Sequence, residues 1–306
     1  MTMQVEERQT MDDPAKMPCS EVGSAECAGA VGRADSAQAS APLSENLPVD
    51  VVAAYRVCEE IARREARNFY YAFRALPRAK RNAICAVYAF MRHADDISDD
   101  ETISHQQRRV ALDEWLNAWH AADAAFDQQR VKEVRPEVGA VFLALADARR
   151  RFGISAELLD ELVQGTAMDL ERPVSAPSTQ SATRPAEPNA GQASAPALDV
   201  YPTFDDLYRY CYLVASVVGL VCIRIFGYED KRAEKLAEET GIAFQLTNIL
   251  RDVQEDAERG RVYIPVEDMN RFGVVPGDFA RIAPGQRLTS EQRGVLAYEA
   301  QRAEQY

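Results

Sequence analysis

A chain of 306 residues, 47% hydrophobic and 27% charged, carries enough apolar material for a large buried core. Its formal charge of −13 excludes the basic surface that a nucleic-acid partner requires and disfavours simple electrostatic docking on anionic lipid. Anionic substrates remain admissible where cations and a few arginines reverse the field locally.

Residues 1–50 are rich in Ala, Ser, Glu and Pro without sustained periodicity, which predicts a disordered N-terminal extension. They lack the apolar core of a secretory signal, and Glu6, Glu7, Asp12 and Asp13 do not suit an Arg-rich transit peptide. The cysteines (Cys19, Cys27, Cys58, Cys85, Cys211, Cys222) form no CxxC pair, so reduced thiols in a cytoplasmic protein are the simplest reading. His93, His105 and His120 have no zinc-like spacing.

From Val51 the pattern turns helical. Tyr55, Cys58, Ala62, Ala66 and Phe69 step by three and four, and Phe73 and Leu76 carry the helix on to Pro77, which ends it. Ile84, Val87, Tyr88 and Met91 give the next apolar stripe, and Leu112, Trp115, Leu116 and Trp119 another. Pro136 opens a helix with Val138, Val141, Phe142 and Leu145 in register. Few runs alternate with period two, so the chain reads as all-α. Residues 174–200 are low in complexity and rich in Pro, Ala and Ser, an unfolded insertion within a domain spanning 51–306. Leu213–Phe226 is apolar but too short to span a bilayer and belongs to the core. Val214, Val217, Val218, Val221 and Ile225 either pack there or line a tunnel, and the sequence alone favours packing. Thr289 with Gln292 makes a capping box. The helix it starts reaches Tyr306 without a stop signal, so more helices are expected beyond it.

Two acidic stretches carry the chemistry. In YAFMRHADDISDD, Asp95 and Asp99 stand one helical turn apart, with Asp96 and Asp100 offset by one. In QLTNILRDVQEDAERGRVYIP, Asn248, Asp252 and Asp256 recur at intervals of four, with Leu246, Ile249, Leu250 and Val253 between them, and Gly260 stops the helix. Oxygen donors at this spacing suit Mg²⁺, which is usually held by one or two carboxylates together with substrate phosphates. Each stretch alone reads equally as a solvated helix end. Two with matching spacing predict a shared negative mouth, with Asp95 and Asp99 facing Asp252 and Asp256. Arg92 precedes Asp95 by three and can either bind diphosphate oxygens or pair locally with Asp95 or Asp96.

These residues resemble the squalene/phytoene synthase family from about Tyr55 to Tyr306. NFYYAFRALPRAKRNAICAVYAFMRHADDISDD resembles its first aspartate-rich region and the approach to it, YCYLVASVVGL its central tyrosine motif, and GIAFQLTNILRDVQEDAERGRVYIP its second aspartate-rich region. The resemblance implies an isoprenoid-synthase-like all-α bundle with a central cavity. It implies head-to-head joining of two prenyl diphosphates (farnesyl or geranylgeranyl) through a cyclopropyl diphosphate to squalene or phytoene. It further implies Mg²⁺, with Mn²⁺ as a substitute, on Asp95, Asp99, Asn248, Asp252 and Asp256. NADPH is needed only if the product is squalene. Asp95, Asp252 and Tyr210 would be catalytic, with Tyr210 near the reacting carbons. Arg92 and Arg251, and by a weaker carry-over Arg67 and Asn68, would bind diphosphate. Peripheral membrane contact would serve product release. A terpene cyclase or head-to-tail synthase would share the fold and a DDxxD string, but neither the second motif nor the tyrosine motif. A non-catalytic homologue with a binding or assembly role would typically have lost some of the aspartates, which are all present here.

Overall fold

A computed structural model describes residues 49–66, 68–126, 136–171, 198–282 and 286–306. The disorder expected for the N-terminal extension and for most of the insertion therefore lies outside the described residues. Twelve helices are described. The first six are α1 (Val49–Glu65), α2 (Asn68–Arg74), α3 (Arg78–Ser98), α4 (His105–Phe126), α5 (Pro136–Phe152) and α6 (Ala156–Glu171). After strand β1 (Asp199–Val200) come α7 (Phe204–Cys211), a π-helical turn (Tyr212–Ser216), α8 (Val217–Phe226) and α9 (Arg232–Glu258). Strand β2 (Arg261–Val262), α10 (Val266–Arg271), α11 (Pro276–Ala280) and α12 (Ser290–Ala303) complete the set.

Most apolar stripes legible in the sequence are buried. In α3, Ala83, Ile84, Val87, Phe90 and Ala94 face inward. Phe90 stacks on Trp115 with ring centroids 5.6 Å apart, and Trp115 lies 4.6 Å from Phe142, which locks α3, α4 and α5 around one aromatic node. Such pairs add about 0.5–1.5 kcal/mol each beyond their burial. A second apolar cluster gathers α7, α9, β2 and the last three helices around Leu207, Ile242, Leu246 and Ile264. The continuous helical stretch Phe204–Phe226 is long and apolar enough to cross a membrane by length and composition. Its π-helical turn and α8 nevertheless pack between α6 and α9 inside the bundle, as the core assignment expected.

Three expectations need correction. The helix read from Tyr55 to Pro77 breaks near Ala66, where the Phe69 amide bonds Ala66 O at 2.9 Å in a tight turn. Beyond the break, Tyr70 and Phe73 pack against the core while Phe69 is 70% exposed, so Phe69 is not a core position. The end of the insertion is ordered: Asp199 and Val200 pair in parallel with Arg261 and Val262. Gly260, at φ 82°, turns the chain out of α9, and its carbonyl accepts from the Asp199 amide at 2.9 Å. The described fold is thus helical apart from one two-stranded ribbon.

Glycine fixes the π-helical turn from two sides. A Cβ added at Gly241 of α9 would lie 2.4 Å from Ser216 Cα, and one at Gly165 of α6 would lie 2.9 Å from the Leu213 carbonyl oxygen. Ser216 also donates to Glu238 O at 2.6 Å. Bare backbones on both neighbours let this irregular turn sit deep in the bundle.

Candidate active site

Asp95 in the last turn of α3 and Asp99 at its C-terminal cap line one cavity of about 330 Å³. Met91, Leu162, Leu213 and Val214 supply apolar walls, and Arg92 and Thr166 supply polar groups. Asp95 accepts a hydrogen bond from Thr166 Oγ1 at 3.2 Å, which ties the carboxylate to α6. Burial raises the Asp95 pKa, and the neighbouring charges of Asp99 and Asp96 add to that, against the Thr166 bond and Arg92. This carboxylate is short of positive charge. Arg92 reaches Asp96 at 2.5 Å, so of the local pairings the sequence left open it is the one with Asp96 that forms.

On α9 the second row forms as its spacing predicts. Leu246 and Ile249 are buried, while Asn248, Asp252 and Asp256 are half-buried on another face. Arg251 donates to both carboxylate oxygens of Asp252, at 2.7 and 2.6 Å, and this fork holds the Asp252 pKa below its ordinary value. Asp256 is shifted upward by burial and by the charge of Asp252. Asn248 Nδ2 donates weakly to Gln245 Oε1 at 3.5 Å. Asp95 and Asp99 share one cavity, and the α9 residues are not among those lining it. Among the described residues, no three acidic, histidine or cysteine side chains form a single metal-holding group. The π-helical turn and α8 pack against α3 or α6 on one side and α9 on the other, which places both rows around one central element.

Tyr210 is 7% exposed, at the end of α7. Its ring stacks on Tyr263 at 5.1 Å and lies 5.6 Å from Tyr201, and its hydroxyl donates to Tyr263 Oη at 3.4 Å. The sequence named Tyr210 alone, whereas the structure shows a three-ring stack. Asn68 lies at the start of α2, and Arg67 is outside the described residues. Sequence reasoning also missed Thr166, Gly165 and the wall residues Met91 and Leu162. The signal available was the pairing of Leu162 with Thr166 on one face of α6, beside a glycine.

The donor set fits a hard divalent cation. It is all oxygen, it is spaced by one helical turn, and its most buried member, Asp95, has its pKa raised by burial despite Arg92 nearby. An all-α bundle with a carboxylate pair in a cavity of mixed polar and apolar lining defines a class of helical proteins suited to amphiphiles with an anionic head. Comparison with known proteins narrows that class. Residues 62–306 match the family model described as squalene/phytoene synthase. The phytoene synthase of Mycobacterium tuberculosis is 35% identical over 225 residues, covering 74% of this chain and 62% of that protein. The presqualene diphosphate synthase of Zymomonas mobilis is 34% identical over 240 residues, covering 78% of this chain and 68% of that protein. Among solved structures, a squalene synthase from Alicyclobacillus acidocaldarius is 25% identical with a TM-score of 0.65, covering 85% of this chain and 82% of that one. A dehydrosqualene synthase solved with a ligand is 26% identical with a TM-score of 0.58, covering 84% and 75%. The chain belongs to the squalene/phytoene synthase family. It spans only 62% of the length of the mycobacterial relative.

Proposed function

We infer that the protein is a prenyltransferase that condenses two prenyl diphosphates head to head. The observation that carries this reading is the Asp95–Asp99 pair in a cavity that also presents Met91, Leu162, Leu213 and Val214, in a chain of this family. In the proposed reaction the C1–O bond of one substrate breaks and pyrophosphate leaves. The resulting allylic C1 is attacked by the double bond of the second substrate, and loss of one proton closes a cyclopropane that keeps the second diphosphate.

Asp95 and Asp99, with Asn248, Asp252 and Asp256, would hold Mg²⁺. When bound, the ion acts as a Lewis acid that neutralises the leaving diphosphate. Arg92 already sits in the cavity wall and can exchange its Asp96 partner for a diphosphate oxygen. Arg251 stands beside Asp252 in the same relation. Thr166 fixes the orientation of the Asp95 carboxylate. Met91, Leu162, Leu213 and Val214 give the prenyl chain apolar contacts in that cavity. Tyr210, supported by Tyr201 and Tyr263, offers an electron-rich ring face for cation stabilisation. The relatives divide between phytoene synthase and presqualene diphosphate synthase, so the proposal is the condensation they share, with NADPH required only on the branch to squalene. A cytoplasmic protein that meets a membrane peripherally suits products of this hydrophobicity.

The test supplies Mg²⁺ and either farnesyl or geranylgeranyl diphosphate and follows pyrophosphate release with mass spectrometry of extracted lipid. A cyclopropyl diphosphate or its hydrocarbon product supports the reading. Release of prenyl alcohol alone, from both substrates, overturns it.

A further inference from the structure

A second cavity, of about 290 Å³, lies on the other side of α6 from the acidic one. Leu162 and Thr166 of α6 face the acidic cavity, whereas Val163 and Ala167 face the second. Leu213 lines both. It is 4% exposed and belongs to the π-helical turn, whose carbonyl at Leu213 abuts the bare Cα of Gly165. The partition is therefore set on a backbone that cannot drift away from α6 without losing that contact. The floor of the second cavity is apolar, formed by Leu112, Leu116, Val163 and Met168, while the charged Arg109, Asp113 and Arg209 also line it.

We propose that Leu213 is a length-determining partition: the acidic cavity takes the diphosphate end of a prenyl substrate, and Leu213 closes the second cavity to its tail. This rests on the condensation reading for its substrate. The physical argument is one of volume. One methylene more or less in an apolar pocket is worth about 10- to 200-fold in discrimination, and Leu213→Ala removes three carbons from the wall. The opened pocket admits an added five-carbon unit against Leu116 and Met168.

The test measures binding of the unreactive thiolo-diphosphate analogues of the C15 and C20 chains, by calorimetry with Mg²⁺, to the full chain and its variants. Leu213→Ala is expected to shift the C20 to C15 affinity ratio toward C20 by about tenfold, and Leu213→Val by a smaller step in the same direction. Met168→Phe, placed in the Leu213→Ala background, refills the second cavity and is expected to reverse the shift. A ratio unchanged within about twofold in either Leu213 variant that melts cooperatively overturns the proposal. So does a Leu213→Ala shift that Met168→Phe leaves intact. Should Leu213→Ala fail to fold, Leu213→Val decides the outcome alone. An unaltered chain that binds both analogues but makes no coupled product refutes the condensation reading, and the affinity ratios still decide the partition.

Discussion

At the scale of single residues, the two aspartate rows differ in how their charge is compensated. Asp95 is buried beside like charges, and its pKa is raised. A carboxyl with a raised folded-state pKa holds its proton more tightly when folded, so its contribution to stability is present at low pH and lost as pH rises through that pKa. Asp95→Asn is therefore expected to raise the melting temperature at neutral pH without metal by about 1–3 °C. The gain should shrink as the pH falls into the range where Asp95 is itself protonated, and a melting series in EDTA checks both points. A lower melting point in the variant at neutral pH would show that the Thr166 bond outweighs the burial. Asp252 has the opposite balance, because the Arg251 fork favours its charged form. Asp252→Asn should leave the melting temperature nearly unchanged and reduce turnover by roughly 100-fold or more, from several kcal/mol of lost leaving-group stabilisation. Steady-state rates beside melting curves separate the two effects, and full turnover in a folded variant would remove Asp252 from the site.

At the scale of elements, the contact between α9 and the π-helical turn is the tightest packing of the site. Gly241→Ala places a methyl 2.4 Å from backbone, where no side-chain rotation can relieve it. Overpacking of this kind costs about 1–3 kcal/mol or more. Gly219→Ala, with 3.2 Å to Ala237 O, should cost clearly less, and urea unfolding of the pair measures the difference. The docking of α12 has a pH dependence of its own. Asp268 and Glu299 are 2% and 1% exposed and share Arg302, whose guanidinium lies 3.9 Å over the Phe204 ring. Burial, with Asp268 adding to it, pushes Glu299 up to about 7. Its stabilising contribution is complete below the ordinary glutamate value and is lost as pH rises through 7. Glu299→Gln should flatten the fall in melting temperature between pH 5 and pH 7, and an unchanged slope would place that titration elsewhere. These elements also show which features a sequence reveals. Periodicity exposed α3, α5 and α9 because their apolar residues recur with the helical turn, and the spacing of Asp95 and Asp99 was visible for the same reason. The π-helical turn has no such period. Gly165 and Gly241, far apart in sequence, both approach its backbone closely. The Tyr201–Tyr210–Tyr263 stack and the Asp268–Glu299–Arg302 group are likewise products of tertiary contact, with no local pattern to announce them.

At the scale of the whole molecule, the proposed reaction requires the carboxylate rows of α3 and α9 to act as one site. The chain carries a formal charge of −13, and bringing Asp95, Asp99, Asp252 and Asp256 together without cations would add repulsion. In this structure Asp252 is paired with Arg251 instead. Mg²⁺ is usually held by one or two carboxylates together with phosphate oxygens, so Mg²⁺ with pyrophosphate is the ligand to test against both rows. Binding to the folded state alone stabilises with the logarithm of ligand excess over Kd, about 2.7 kcal/mol at a hundredfold excess. The unaltered protein is therefore expected to melt several degrees higher with Mg²⁺ and pyrophosphate together than with either alone. Asp95→Asn and Asp252→Asn should each abolish most of that shift. Residues that act through one bound complex are not additive, so the double variant should lose little more than either single one. Additive losses would mean two independent ion sites. A full shift in Asp252→Asn would mean that the α9 row plays no part in holding the diphosphate, and that the α3 pair with Arg92 binds it alone.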